Sequence, residues 1–254
     1  MVIATASAEE TALASFPPLR ISEIPAEPKL CFQSGIAAYR VLTGREPADA
    51  DIDDNDRFDR HVLASILAVA AAEGGTIAER TGLMASELAV LLAGHFPDAR
   101  QFAAAWWVKN DPPADEEAAM VRDLLLGNRS TAGDVGRWLA AMVARRSMEP
   151  NHLWEDLGLR ERSELTRLLE RHFAPLASRN TNNMRWKRFF YRLMCEDDGF
   201  VMCTTPVCSE CRDFELCFGE ESGESRLARQ RRALELSAVN LNESGAAQSS
   251  PARR

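Results

Sequence analysis

The sequence predicts an almost entirely α-helical protein, and two observations lead to this prediction. Apolar residues recur at helical spacing in a succession of segments, of which the clearest contains Val62, Leu63, Ile66, Leu67 and Ala70. No sustained run alternates apolar and polar residues with the β-branched enrichment of a strand. The predicted fold class is therefore all-α, with a helical, bundle-like domain and, towards the C-terminus, an irregular cysteine-rich metal-binding loop.

Helix ends are marked by residues that cap or interrupt helices. A first short helix precedes the acidic loop 45–56, after which the long apolar stripe runs to Gly74-Gly75. Thr76 and Glu79 have the spacing of a capping box, and Pro97 stops the helix that follows. The predicted helices are 33–42, 56–73, a short one from residue 76, 88–96, 114–126, 132–144, 163–176, 184–195 and 225–236.

Composition divides the 254-residue chain into three parts. Residues 1–30 are rich in small residues and proline and are predicted to form a flexible lead-in. Residues 31–219 carry the helical domain, in which the cysteine loop occupies 203–217. Residues 220–254 shift to Glu, Ser, Arg and Gln, so we expect a solvated charged helix followed by a disordered tail.

The overall charge and hydropathy argue against two classes of partner. With 30 Lys and Arg against 38 Asp and Glu, the net charge is −8, the wrong sign for a protein that binds nucleic-acid phosphates. No apolar run is long enough to cross a bilayer, and Glu9 and Glu10 stand where a secretory signal would carry basic residues. We expect a cytoplasmic protein with no membrane and no nucleic-acid partner.

Cysteine is concentrated near the C-terminus. Apart from Cys31, all of the six cysteines fall between Cys195 and Cys217. A C-x4-C-x2-C-x5-C pattern is formed by Cys203, Cys208, Cys211 and Cys217. Thiolates are soft donors that select iron–sulfur clusters, zinc or copper(I), and the first three cysteines have the spacing of plant-type ferredoxins. The spacing favours an iron–sulfur centre over zinc. Cys31 and Cys195 are interpreted as buried structural thiols, with a spare ligand as the alternative for Cys195.

A basic and aromatic helix, 184–195, immediately precedes the cysteine motif. Its simplest interpretation is an amphipathic core helix, and the alternative adds that its cations stabilise a negatively charged cluster or a bound molybdate. His61, His152 and His172 could each supply a nitrogen to a metal, although a structural role is favoured for each of them.

Two hypotheses from other classes stay open. The cysteines could bind zinc and act only as a staple for a helical interaction module. Residues 76–91 could form a helix-turn-helix regulator, although 85–92 contain no Arg, Lys, Asn or Gln to read bases. Walker, GxGxxG, GxSxG and HExxH motifs are absent, so the sequence does not predict a turnover enzyme.

Several stretches of the chain resemble the NifQ family. They are FDRHVLASILA (58–68), LLLGNRS (124–130), NHLWEDLG (151–158), the helix 184–195 and, most specifically, the C-x4-C-x2-C-x5-C pattern that closes on Phe218-Gly219. The resemblance covers about residues 31–219. It implies a carrier that binds a molybdenum–iron–sulfur cluster, made of Mo, Fe and inorganic sulfide, and supplies molybdenum for the iron–molybdenum cofactor of nitrogenase.

The same resemblance implies ligands and partners. The implied cluster ligands are Cys203, Cys208, Cys211 and Cys217, all of which match the family pattern. The implied partners are the nitrogenase Fe protein NifH and the cofactor-assembly scaffold NifEN, with molybdate as the source of the metal.

Overall fold

The computed structural model describes residues 34–99, 111–197, 212, 214–221, 223 and 225–248. The regular elements in these ranges are all helical: twelve α-helices and two short 3-10 turns, with no strand. The α-helices are α1 (Gly35–Thr43), α2 (Asn55–Ala72), α3 (Ile77–Thr81), α4 (Ala85–His95), α5 (Glu116–Gly127), α6 (Asp134–Ser147), α7 (Leu153–Asp156), α8 (Arg162–His172), α9 (Ala174–Ala177), α10 (Trp186–Asp197), α11 (Phe214–Phe218) and α12 (Arg226–Gln248). The all-α prediction is confirmed for the described part of the chain.

Local sequence signals account for many of the helix ends. The backbone N–H of Glu79 donates to the Thr76 hydroxyl (3.1 Å), and the Thr76 N–H donates to the Glu79 carboxylate (2.9 Å), which is the predicted capping box. The carboxylates of Asp54 and Asp115 cap α2 and α5 by accepting from the N–H three residues along. Helix α1 ends at Gly44, whose φ of +72° is the left-handed conformation that glycine adopts without strain.

Helix α2 forms the centre of the core. Every residue from His61 to Ala70 is buried, so this part of the helix is surrounded on all sides. Helix α1 packs along α2, α3 and α6 also contact it, and α5 packs against α6. The buried side chains of the described residues form one continuous hydrophobic cluster.

Two helices differ from their predicted extents. The predicted helix 163–176 is divided into α8 and α9, because Phe173 leaves the helical conformation (φ −139°, ψ 45°) and Pro175 occupies the first turn of the new helix. Helix α12 continues to Gln248, past the predicted end at residue 236, in a stretch that contains no proline. Its first turn is also packed rather than solvated, since Leu227 is 1% exposed.

The segment considered above as a DNA-reading pair corresponds to α3 and α4. Helix α3 has only five residues, and Glu87 of α4 forms an ion pair with Arg137 of α6. The Glu87 carboxylate is thus engaged within the fold, and α4 has no Arg, Lys, Asn or Gln to read bases, which disfavours a helix-turn-helix regulator. None of the described helices combines the length and the apolar character that crossing a membrane requires.

Candidate functional site

The last cysteine of the predicted ligand motif lies beside the start of α10. The backbone N–H of Arg185 donates to the carbonyl oxygen of Cys217 (2.8 Å). The Arg185 guanidinium donates to the next carbonyl oxygens along the chain, at Gly219 (3.2 Å) and Glu220 (2.9 Å). These bonds satisfy carbonyl groups that the end of α11 leaves without intrahelical partners. The basic segment and the end of the cysteine motif are therefore in direct contact.

Two of the six cysteines belong to the described residues. Cys195 and Cys217 are both half-buried and do not form a disulfide with each other, and Cys217 packs against the edge of the hydrophobic core. The others, Cys31, Cys203, Cys208 and Cys211, lie outside the described residues. Among the described residues no group of three or more His, Cys, Asp or Glu side chains is placed to hold a metal ion. The convergence of the four motif sulfurs therefore stays a prediction.

An open pocket of about 660 Å³ adjoins α11. Three parts of the fold build it: residues within 150–155, before and in α7, residues within 185–188 at the start of α10, and the described residues Leu216, Glu221, Gly223 and Arg229. Its charged lining residues are Glu155, Arg185, Lys187, Arg188, Glu221 and Arg229, and His152 also lines it. The pocket is therefore predominantly basic, on a chain whose net charge is −8.

A buried ionic network adjoins this pocket and shares Lys187 with its lining. Arg146 is fully buried and donates two parallel hydrogen bonds to the Glu73 carboxylate (2.6 and 2.8 Å) and a third to the Asp156 carbonyl (2.7 Å). The fully buried Asp156 carboxylate accepts from Lys187 (2.7 Å) and Arg226 (3.2 Å). The network joins α2, α6, α7, α10 and α12. It therefore fixes the three parts of the fold that line the pocket relative to one another.

Burial and ion pairing have opposing effects on each pKa in this network, and the pKa values of both Glu73 and Lys187 are lowered. Burial alone would raise the pKa of the Glu73 carboxyl, but the hydrogen bonds and charge of Arg146 outweigh it, so the pKa lies below its ordinary value. For Lys187, burial lowers the pKa, and the hydrogen bond and charge of Asp156 offset only part of this effect.

Two of the three histidines that the sequence singled out have structural partners on both ring nitrogens. His61 is hydrogen bonded to the Tyr39 hydroxyl (2.7 Å) and to Glu164 (3.2 Å). His172 is hydrogen bonded to the Thr131 hydroxyl (2.8 Å) and to Asp59 (2.9 Å). Both rings are buried and both nitrogens are occupied, so the structural role favoured from the sequence fits these two residues.

His152 differs from the other two histidines because it lines the basic pocket. Its side chain is 27% exposed, and its Nδ1 lies 3.4 Å from one carboxylate oxygen of Glu221. The other carboxylate oxygen of Glu221 forms an ion pair with Arg162. The structure thus places one of the three histidines on the same pocket as Leu216, the residue that precedes the last motif cysteine.

Sequence reasoning missed the residues of the buried ionic network beside the pocket. Arg146 falls on the buried stripe of α6 that contains Leu139, Met142 and Val143. A charged residue in register with a buried stripe is a signal that could have identified it, because such a residue needs a buried partner. The identity of that partner, Glu73, could not be found in this way, since it is 73 positions away in the sequence.

Comparisons with known proteins show which family this chain is similar to. Residues 62–219 match the family model named NifQ, and this match includes all four motif cysteines. A protein NifQ homolog from Sinorhizobium fredii is 39% identical over 183 residues, which cover 70% of this chain and 78% of that protein. Protein NifQ of Rhodobacter capsulatus is 39% identical over 161 residues, covering 63% and 87%. Protein NifQ of Azotobacter vinelandii is 43% identical over 106 residues, covering 42% and 54%. No solved structure matches this chain.

Proposed function

The chain belongs to the NifQ family, which has a role in nitrogen fixation, and we propose that it binds a molybdenum–iron–sulfur cluster. From this cluster it donates molybdenum for the iron–molybdenum cofactor of nitrogenase. The observation that carries the proposal is the C-x4-C-x2-C-x5-C pattern, which lies complete inside the family match. In this proposal the protein is a carrier with molybdenum as its cargo, and it is not a turnover enzyme.

The proposed cluster ligands are Cys203, Cys208, Cys211 and Cys217. Thiolates suit iron and sulfide-bridged molybdenum because soft donors select soft metals. The described residues fit this role at the end of the motif, where Cys217 is half-buried and its backbone is hydrogen bonded to Arg185. When bound, the cluster would supply a molybdenum atom that protein thiolates do not fully coordinate.

A positive charge near the end of the motif would stabilise a bound cluster that carries negative charge. The guanidinium of Arg185 is held at this end by carbonyl oxygens, so its positive charge stays beside Cys217. Cations close to metal-bound sulfur stabilise the anionic state of a tetrathiolate cluster. The proposed partners are NifH and NifEN, and the proposed metal source is molybdate, all in the cytoplasm.

Metal content after anaerobic purification tests the proposal. We expect iron and molybdenum together with sulfide, a brown colour and a paramagnetic resonance signal. Replacing Cys208 or Cys211 by Ser should remove most of the iron, whereas replacing Cys31, which lies far from the motif in the sequence, should not. Stoichiometric zinc without iron, in a colourless protein prepared anaerobically, would establish the zinc-stapled module instead and overturn the proposal.

A further inference from the structure

The basic pocket beside α11 contains two cations that no described carboxylate neutralises. Lys187 is paired with Asp156, and Arg229 with Glu155 (3.1 Å). Arg185, in contrast, donates only to carbonyl oxygens, which do not neutralise its charge.

Arg188 is the second cation. It is half-buried, lines the pocket, and forms no hydrogen bond or ion pair with any residue in the described part of the chain. A guanidinium without a protein acceptor keeps its full hydrogen-bonding capacity and its charge, so an anion entering the pocket would find a donor that no described side chain occupies.

The acidic residues of the pocket do not offset these two charges. Glu155 is engaged by Arg229, and Glu221 by Arg162 and His152. The described lining thus has an excess of two positive charges, at Arg185 and Arg188. This excess matches a dianion, and the guanidinium fork suits oxygen atoms placed at the corners of a tetrahedron.

We infer that this pocket binds a tetrahedral oxyanion, with Arg188 as its principal ligand and Arg185 as a fixed positive charge beside it. The ionic network of Arg146, Asp156 and Lys187 ties the pocket residue Lys187 to the core before the anion arrives. The identification of this oxyanion as molybdate rests on the proposed function. On that basis the pocket receives molybdate next to the segment that ends in Cys217, before the metal enters a cluster.

Equilibrium dialysis of molybdate against the full-length chain tests the inference. The protein is prepared without iron, sulfide or molybdate, and the assay is run at mildly alkaline pH, where the competing oxyanions are dianions. We expect saturable binding that weakens as ionic strength rises. Tungstate, which has the same shape and charge, should compete as molybdate does, and sulfate, a smaller tetrahedral dianion, should compete less well where the pocket fits molybdate.

Two substitutions and their matched controls locate the site. Arg188→Gln should weaken binding about tenfold or more, the effect of losing a hydrogen bond to a charged group. Arg179→Gln removes an exposed arginine outside the pocket and should bind as the wild type does. Leu216 is 49% exposed at the pocket rim, so Leu216→Glu should fold normally and weaken binding by repulsion, while Leu216→Gln should not.

The outcomes separate this inference from the proposed function. If the wild type binds no oxyanion, or if Arg188→Gln and Leu216→Glu bind as tightly as the wild type, the inference is wrong, whatever the metal content. If sulfate displaces molybdate equally well, the pocket is a general oxyanion site and its assignment to molybdate is wrong. If Cys211→Ser loses iron and still binds molybdate, the pocket is a site distinct from the thiolates, as inferred. Oxyanion binding by a chain that never assembles iron and sulfide would support the pocket and reject the cluster.

Discussion

At the scale of single residues, the protein buries charged side chains as members of ion pairs. Arg146 is fully buried, and the cost of removing its charge from water is offset by the two-pronged bond to Glu73 and by the Asp156 carbonyl. A hydrophobic residue of similar size would fill the space but would leave the Glu73 carboxylate with less compensation.

We therefore expect Arg146→Met to lower the free energy of unfolding by about 3 kcal/mol or more, as when one partner of a buried ion pair is removed. The control is Arg137→Met, which removes an ion pair whose arginine side chain is 43% exposed and should cost less than about 1 kcal/mol. Urea denaturation measures both changes. Equal effects of the two substitutions would show that the buried network does not stabilise the fold.

Buried carboxylates also make the stability dependent on pH. Burial alone would raise the pKa of Glu164, but the interactions with His61 and Arg160 outweigh it and place the pKa below its ordinary value. Burial is likewise outweighed at Asp59 by its interaction with His172, so that this pKa is also lowered. A lowered pKa in the folded state contributes stability that is complete above the unfolded value of the pKa and is lost as the pH falls through the folded value.

We expect the contribution of these carboxylates to be constant down to about pH 5 and to decline below it. Urea midpoints measured across this range test the prediction. Glu164→Gln should be less stable than the wild type at neutral pH and should lose less on acidification, whereas Glu170→Gln, at an exposed position of α8, should follow the wild type. A Glu164→Gln profile parallel to that of the wild type would contradict the assignment.

At the scale of elements, α11 depends on α10 for its position. Helix α11 has only five residues, which is too short to be stable alone, and Arg185 donates to the carbonyl oxygens of Leu216, in the helix, and Gly219, just after it. The connection matters for function because α11 contains Cys217. An element this short is held in place by its tertiary contacts, so loss of the arginine bonds should release it locally without unfolding the core.

Hydrogen exchange tests this dependence. The amide of Gly219 donates to the Glu215 carbonyl (3.0 Å) and reports the closed state of α11. Arg185→Gln should accelerate its exchange about tenfold, the equivalent of one hydrogen bond to a charged group. Arg188→Gln, three residues along the same segment and without a bond to α11, should leave the rate unchanged. Equal rates in the wild type and in Arg185→Gln would show that α11 is held by other contacts.

At the scale of the whole molecule, α12 packs back onto the first helix. Leu227 is 1% exposed in the hydrophobic core, and the Gly35 N–H donates to the side-chain oxygen of Gln230 (2.8 Å). Arg226 joins the ionic network through Glu73 and Asp156. Helix α1 and the start of α12 are therefore part of the same core, and the start of α12 also contributes to the basic pocket through Arg229.

We expect Leu227→Ala to cost about 2–4 kcal/mol, the range for truncating a buried leucine. The control on the same helix is Leu234→Ala, at a position that is 46% exposed, which should cost less than about 1 kcal/mol. Chemical denaturation of the full-length chain measures both. Closely similar free energies for the two variants would mean that the start of α12 is not part of the cooperative core.

Much of the fold could be predicted because helix formation leaves local signals. The stripe from Val62 to Ala70 predicts α2, and Thr76 with Glu79 predicts the start of α3. The family, and with it the proposed ligand set, is indicated by a resemblance over several stretches, of which the spacing of the cysteines is the most specific. The burial of the first turn of α12 could not be predicted in this way, because a charged sequence such as 225–236 is compatible with a solvated helix.

By itself the sequence determined the helical class, most helix ends and the family, since each depends on residues close together in the chain. Only the tertiary structure decided which charged side chains form ion pairs with each other. Glu73, Arg146, Asp156 and Arg226 are distant in sequence, and folding brings them together beside a pocket in which Arg188 has no described partner. The physical reason is that the cost of burying a charge depends on the atoms around it, and the order of residues along the chain does not specify those atoms.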